Sequence, residues 1–104
     1  MISAGFSGIS IIHSDVGGYT FINSEINDNF VTATKRDKDL LIRWMEMAAF
    51  TSVFRSHEGN MPEKAIQPYD DDMIHYLRRN AYLYKHLGEY RYVTFSNHRS
   101  YLMK

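Results

Sequence analysis

Two short clusters hold most of the residues able to do chemistry. The first is His13-Ser14-Asp15, followed by Gly17-Gly18-Tyr19; the second is Arg55-Ser56-His57-Glu58-Gly59-Asn60. Asp15 and Glu58 could serve as paired carboxylates on a glycosidic bond, a task that needs them about 5 to 5.5 Å apart for retention. Sequence permits that pairing without supplying the distance. Simpler roles stand beside it. Asp15, just ahead of two glycines, suits a turn or a cap, and His57 with Glu58 suits a satisfied surface pair. A metal centre has less support: there is no Cys and no His-Glu-x-x-His, and the histidines at 13, 57, 75, 86 and 98 do not share a helical face. No cofactor is implied.

The elements that would position these clusters follow from hydrophobic periodicity. Residues 8–13 form an Ile-rich run bounded by Gly8 and by Ser14-Asp15, which predicts a strand covered on both faces, as in a parallel sheet. Gly17 and Gly18 break it. Residues 20–34 are polar and irregular and predict an extended loop. Thr34 is the expected N-cap of a helix over 35–50, with Asp37 as a weak capping-box partner. Leu40, Leu41, Trp44, Met47 and Ala48 would share its apolar stripe, while Lys35, Arg36, Lys38, Asp39 and Arg43 fill the polar face.

Residues 51–55 predict a second strand, ending in the second polar cluster. Both prolines, Pro62 and Pro68, fall in 61–69, which predicts a loop. Asp70, Asp71 and Asp72 would place negative charge at the positive end of a helix with Met73, Leu77, Ala81 and Tyr84 as its stripe and Gly88 as its stop. Trp44, Met45 and Met47 are expected to pack, as are Tyr76, Tyr82 and Tyr84. Residues 90–104 show no clear period. Strands alternating with helices predict an α/β fold with βα units and parallel pairing, and ligands in such folds bind beyond the carboxyl ends of the strands, where both clusters fall.

Composition narrows the partners. The 104 residues carry 12 Lys+Arg against 12 Asp+Glu, so the formal charge is zero and nothing favours nucleic acid or an anionic membrane. The stretch 1–14 has no basic n-region and is not apolar enough to span a bilayer, which points to a cytoplasmic chain. The length suits one domain of about 100 to 150 residues.

Taken in order, Ser7-Gly8-Ile9-Ser10-Ile11-Ile12-His13-Ser14-Asp15-Val16-Gly17-Gly18-Tyr19-Thr20, Leu40-Leu41-Ile42-Arg43-Trp44, Phe54-Arg55-Ser56-His57-Glu58-Gly59-Asn60 and Gln67-Pro68-Tyr69-Asp70 resemble glycoside hydrolase family 31. The resemblance runs over 7–91. It implies an α/β fold made of the seventh and eighth units of a (β/α)8 barrel, incomplete on its own because such a barrel needs about 250 residues. Residues 1–91 would then be part of the catalytic domain, and 92–104 an unassigned, divergent tail.

The form His-Ser-Asp-Val-Gly-Gly-Tyr is similar to the branch holding sulfoquinovosidases and related bacterial α-glucosidases. In that branch the tyrosine matching Tyr19 helps recognise a sulfonate, as a phenol can by donating to an anionic oxygen. Asp15 would help shape the subsite of the cleaved sugar and hold a neighbouring arginine; His57 would hydrogen-bond ring hydroxyls; Arg55 would support the pocket. The family's reaction is retaining hydrolysis of α-glycosides by an aspartate nucleophile and an aspartate acid/base. Both motifs lie upstream in the family and are missing here, so neither Asp15 nor Glu58 is expected to take either role.

Ser52 stands where the family usually has proline, and Met61 where it often has arginine. The expectation is a fragment that contributes sugar-binding residues to an α-glycosidase and is inactive by itself. The alternative is a non-catalytic piece that self-associates or docks on a partner such as the remainder of a barrel, since unpaired strand edges and an apolar helix face call for cover.

Overall fold

The structure is a computed structural model that describes residues 3–4, 7–9, 11–20, 36–59 and 62–102. The expected loop over 20–34 and the Thr34 cap lie almost wholly outside these residues. Among the described residues three full α-helices follow one another: α1 (Lys38–Ala48), α2 (Ile74–His86) and α3 (Gly88–Leu102), with a 3-10 turn at Pro62–Lys64 between the first two.

Helix α1 starts later than its pattern suggests. Asp37 itself is the N-cap, its backbone extended and its carboxylate accepting from the Leu40 amide at 2.8 Å. The short carboxylate satisfies a free first-turn N–H at the position where it is most effective. The buried side of α1 is Leu41, Met45 and Ala48, whereas Leu40 and Met47 are exposed. The apolar stripe is therefore rotated by about one residue from the expected one. Arg36, assigned to the polar face by sequence, lies ahead of the helix and is buried.

Val16, Leu41, Met45, Ala48 and Met73 form the core, with Trp44, Phe54, Ile66, Tyr76 and Leu77 among those packed around it. Helix α2 contributes through Met73 just before its start and through half-buried Tyr76 and Leu77, while Ala81 is exposed and Asn80 is buried, its amide donating to the Tyr76 carbonyl at 3.0 Å. The three aspartates supply none of the first-turn residues of α2. Instead the Asp70 carbonyl accepts from the Met73 and Ile74 amides, and Asp72 pairs with Lys38 at 2.9 Å. Helix α2 ends at His86 with Leu87 as its cap, just before the expected stop at Gly88, which also opens α3; the part of the unassigned stretch from 90 that is described, to 102, is helical.

Neither expected strand, over 8–13 or 51–55, forms a ladder among the described residues. Among the described residues one parallel bridge joins Val16 to Ser56, with the Val16 amide donating to the Arg55 carbonyl at 2.8 Å. At the other end the Ser52 hydroxyl takes the place of backbone pairing. It accepts from the Ile12 amide at 2.9 Å and donates to the Ile12 carbonyl at 2.7 Å. Both links join residues 40 apart, so the segments run parallel in one register. A proline at 52 has no hydroxyl with which to do this.

Candidate functional site

The register brings the two polar clusters side by side. Asp15 Oδ1 lies 3.4 Å from Arg55 Nε, again 40 residues apart. The atom is buried and accepts no hydrogen bond among the described residues, so the contact is an ion pair whose donor is not aligned on the oxygen. The Asp15 side chain is 23% exposed and Arg55 is 53% exposed, so the pair sits at the surface end of the junction.

After Asp15 the chain turns: the Gly18 amide donates to the Asp15 carbonyl at 2.9 Å, with Gly17 at φ +85°. Positive φ at that place in a tight turn favours glycine, and a Cβ on Gly17 would run into the Arg36 Cδ and sit 2.8 Å from Leu41 Cδ1. It is thus the Asp15 carbonyl, not its carboxylate, that serves the turn. The turn brings the Tyr19 ring perpendicular to that of His57, centroids 4.6 Å apart and planes at 85°, an arrangement favoured by aromatic quadrupoles.

On the other cluster, His57 Nδ1 accepts from the Gly59 amide at 3.1 Å. With Nδ1 acting as acceptor, the proton of the neutral imidazole is assigned to Nε2, which is then a donor. Glu58 looks elsewhere: its Oε1 accepts from the Tyr69 hydroxyl at 2.9 Å. That bond, with a smaller contribution from burial and the nearby carboxylate charge, holds the Tyr69 phenol above its ordinary pKa. His57 and Glu58 are therefore not a pair with one another, and Asp15 and Glu58 serve different partners.

Four supporting residues carry little signal in the sequence. Arg36 donates from Nε to the Ile66 carbonyl at 2.7 Å, from Nη1 to the carbonyls of His57 at 3.0 Å and Val16 at 3.4 Å, and from Nη2 to Gln67 Oε1 at 2.6 Å. Burial pulls its guanidinium below the usual arginine pKa, against the opposing charges of Tyr69 and Asp70. Gln67 is buried too; its backbone N–H donates to Asp70 Oδ2 at 2.8 Å, and its carbonyl accepts from the Asp70 amide at 3.2 Å. Trp44 Nε1 donates to Ser14 Oγ at 2.9 Å, bracing the residue before Asp15. Ser52 supports the register that the Val16–Ser56 bridge also holds. Arg36 could have been noticed only as a cation next to a capping aspartate, because three backbone carbonyls and a glutamine 31 residues away leave no local mark on the sequence.

Comparison with known proteins bears on this arrangement. The profile of the glycosyl hydrolases family 31 TIM-barrel domain matches residues 1–93. The chain belongs to glycosyl hydrolase family 31. Among curated relatives, a sulfoquinovosidase of Agrobacterium fabrum is 38% identical over 91 residues, 86% of this chain and 12% of that protein. A sulfoquinovosidase of Escherichia coli is 41% identical over 61 residues, 59% of this chain and 8% of that protein. Among solved structures, a family 31 sulfoquinovosidase from E. rectale, in complex with an aza-sugar inhibitor, aligns with TM-score 0.65 and 39% identity over 94% of this chain and 14% of its own. The chain thus spans roughly an eighth of the relatives it matches. No helix among the described residues is long and apolar enough to cross a membrane.

Proposed function

We propose that this chain is the seventh and eighth βα units of a family 31 α-glycosidase barrel and supplies sugar-binding residues, Asp15, Tyr19, Arg55 and His57, without the nucleophile or the acid/base. The observation that carries the reading is the side-by-side placement of two clusters 40 residues apart, with Asp15 on Arg55 and Tyr19 on His57. Each member has matching chemistry. The His57 Nε2–H suits a ring hydroxyl oxygen. The half-exposed Tyr19 phenol suits an anionic substituent, and the sulfoquinovosidase relatives favour an α-sulfoquinovoside over an α-glucoside. Arg55 offsets the charge of the Asp15 carboxylate.

Hydrolysis depends on groups that act together in the transition state, so a chain lacking the two catalytic aspartates is expected to turn over neither an aryl α-glucoside nor an aryl α-sulfoquinovoside. Turnover that disappears in Asp15→Asn or Glu58→Gln would overturn this. The binding half is tested by NMR titration with methyl α-sulfoquinovoside: shifts at His57 and Tyr19, weakened in Tyr19→Phe, are expected, and a titration that moves neither residue sinks it.

A second reading is favoured by Ile9, Ile11 and Phe50, which are apolar and 54 to 69% exposed. In this reading they are covered by a second copy or by the rest of a barrel. Size-exclusion chromatography separates the two: a monomer with a sharp thermal transition counts against it.

A further inference from the structure

Arg36 and Gln67 are 2% and 4% exposed, and neither belongs to the sugar-binding set. Their bonds converge on it all the same. Arg36 holds the carbonyls of Val16, next to Asp15, and of His57 itself. Gln67 Nε2 holds the carbonyl of Glu58 at 3.2 Å, together with those of Pro62 at 3.0 Å and Ala65 at 3.2 Å. The Nη2 to Oε1 bond ties the two side chains into one unit, and Nε adds the Ile66 carbonyl. Six carbonyls from three stretches of chain are thereby satisfied by two side chains. Gly17 is kept without a Cβ at the place where Arg36 passes closest.

A buried guanidinium is a costly way to stabilise a fold, since apolar residues of similar volume often do as well or better. Its planar fork is suited to something else, namely holding several acceptors at fixed angles, which a lysine ammonium cannot reproduce. We infer that the Arg36–Gln67 pair is the positioning device of this site: it locks the backbone at Val16 and at His57-Glu58, so that the Tyr19 and His57 rings meet. The inference takes its functional meaning from the sugar-binding reading but not its test.

The test uses the full chain and reads the His57 ring resonances by NMR, comparing each background with and without Tyr19→Leu. The difference is the ring-current shift that Tyr19 imposes on His57. In the parent chain it is expected to be present. In Arg36→Lys and in Gln67→Glu it is expected to be lost, while the Trp44 indole resonance, reporting the Ser14 contact on the other side of the turn, stays in place. Gln67→Glu keeps the acceptor for Arg36 but turns an oxygen toward three carbonyls, so it disturbs the clamp without emptying the core. A purely structural role moves Trp44 and His57 together with the thermal midpoint and overturns the proposal. So does a Tyr19-dependent shift that survives in Gln67→Glu, whether or not Arg36→Lys folds. If the shift behaves as expected and methyl α-sulfoquinovoside still fails to bind the parent chain, the clamp stands and the sugar-binding reading falls.

Discussion

Helices α1 and α3 are of similar length, 11 and 15 residues, and are held by different means. Helix α1 buries Leu41, Met45 and Ala48 against Val16 and Met73, and an aspartate caps its start. Helix α3 leaves Tyr90, Tyr92 and Val93 more than half exposed. It is tied back by Arg91, whose guanidinium lies 3.7 Å above the Tyr84 ring and donates to the Tyr84 carbonyl, while the Tyr84 hydroxyl donates to the Ser52 carbonyl at 2.9 Å. The contrast, among the described side chains, is between a helix fastened by apolar contact and one whose first turn is tied back by polar contacts. Only the first kind leaves a repeating pattern in the sequence.

Leu41→Ala attacks the better-held helix and is expected to cost about 3 to 5 kcal/mol by urea unfolding, a large share of what a domain this size possesses. Gly17→Ala, under the same helix, combines a disfavoured positive φ with overpacking against Leu41 and Arg36; a loss of about 2 to 4 kcal/mol is expected. Ser52→Ala removes the two bonds to Ile12 and is expected to cost about 1 to 2 kcal/mol. Tyr92→Ser on α3 is expected to change stability by no more than about 0.5 kcal/mol. A loss at Tyr92 equal to that at Leu41 would erase the contrast.

The smallest effect is spectroscopic. The Tyr69 phenol is raised by its bond to Glu58, so the contact is fully formed below the ordinary tyrosine range and is lost as pH rises through the raised value. In Glu58→Gln the phenolate absorbance is expected to appear at lower pH than in the parent chain; an unchanged titration would show that Glu58 does not set it.

The polar clusters were legible because Asp15, Tyr19, Arg55 and His57 stand in ordered motifs, and the α1 and α2 helices because apolar residues recur at helical spacing. The stripe of α1 was misplaced by one residue, since Leu40 and Leu41 look alike to any periodicity and only the core decides between them. Arg36 sits in the run Lys35-Arg36-Asp37-Lys38-Asp39, where a cation reads as solvated. Its burial depends on carbonyls contributed from residues 20 to 31 positions away, which no local pattern encodes. Residues 90–104 were unreadable because their apolar residues do not recur at helical spacing, so there is no period to find.

The Ser52 hydroxyl has a consequence for the chemistry at the far end of its segment. Side chains on a strand alternate, and a slip of one residue turns each to the opposite face. Were either segment to slip by one, Arg55 would stand level with Ser14 or Val16, and Asp15 with Phe54 or Ser56. The charge pair would then be lost without any substitution in it. Asp15 and Arg55 therefore meet in a register held from both ends, by the Val16 amide on the Arg55 carbonyl beside them and by a neutral hydroxyl three residues before the arginine.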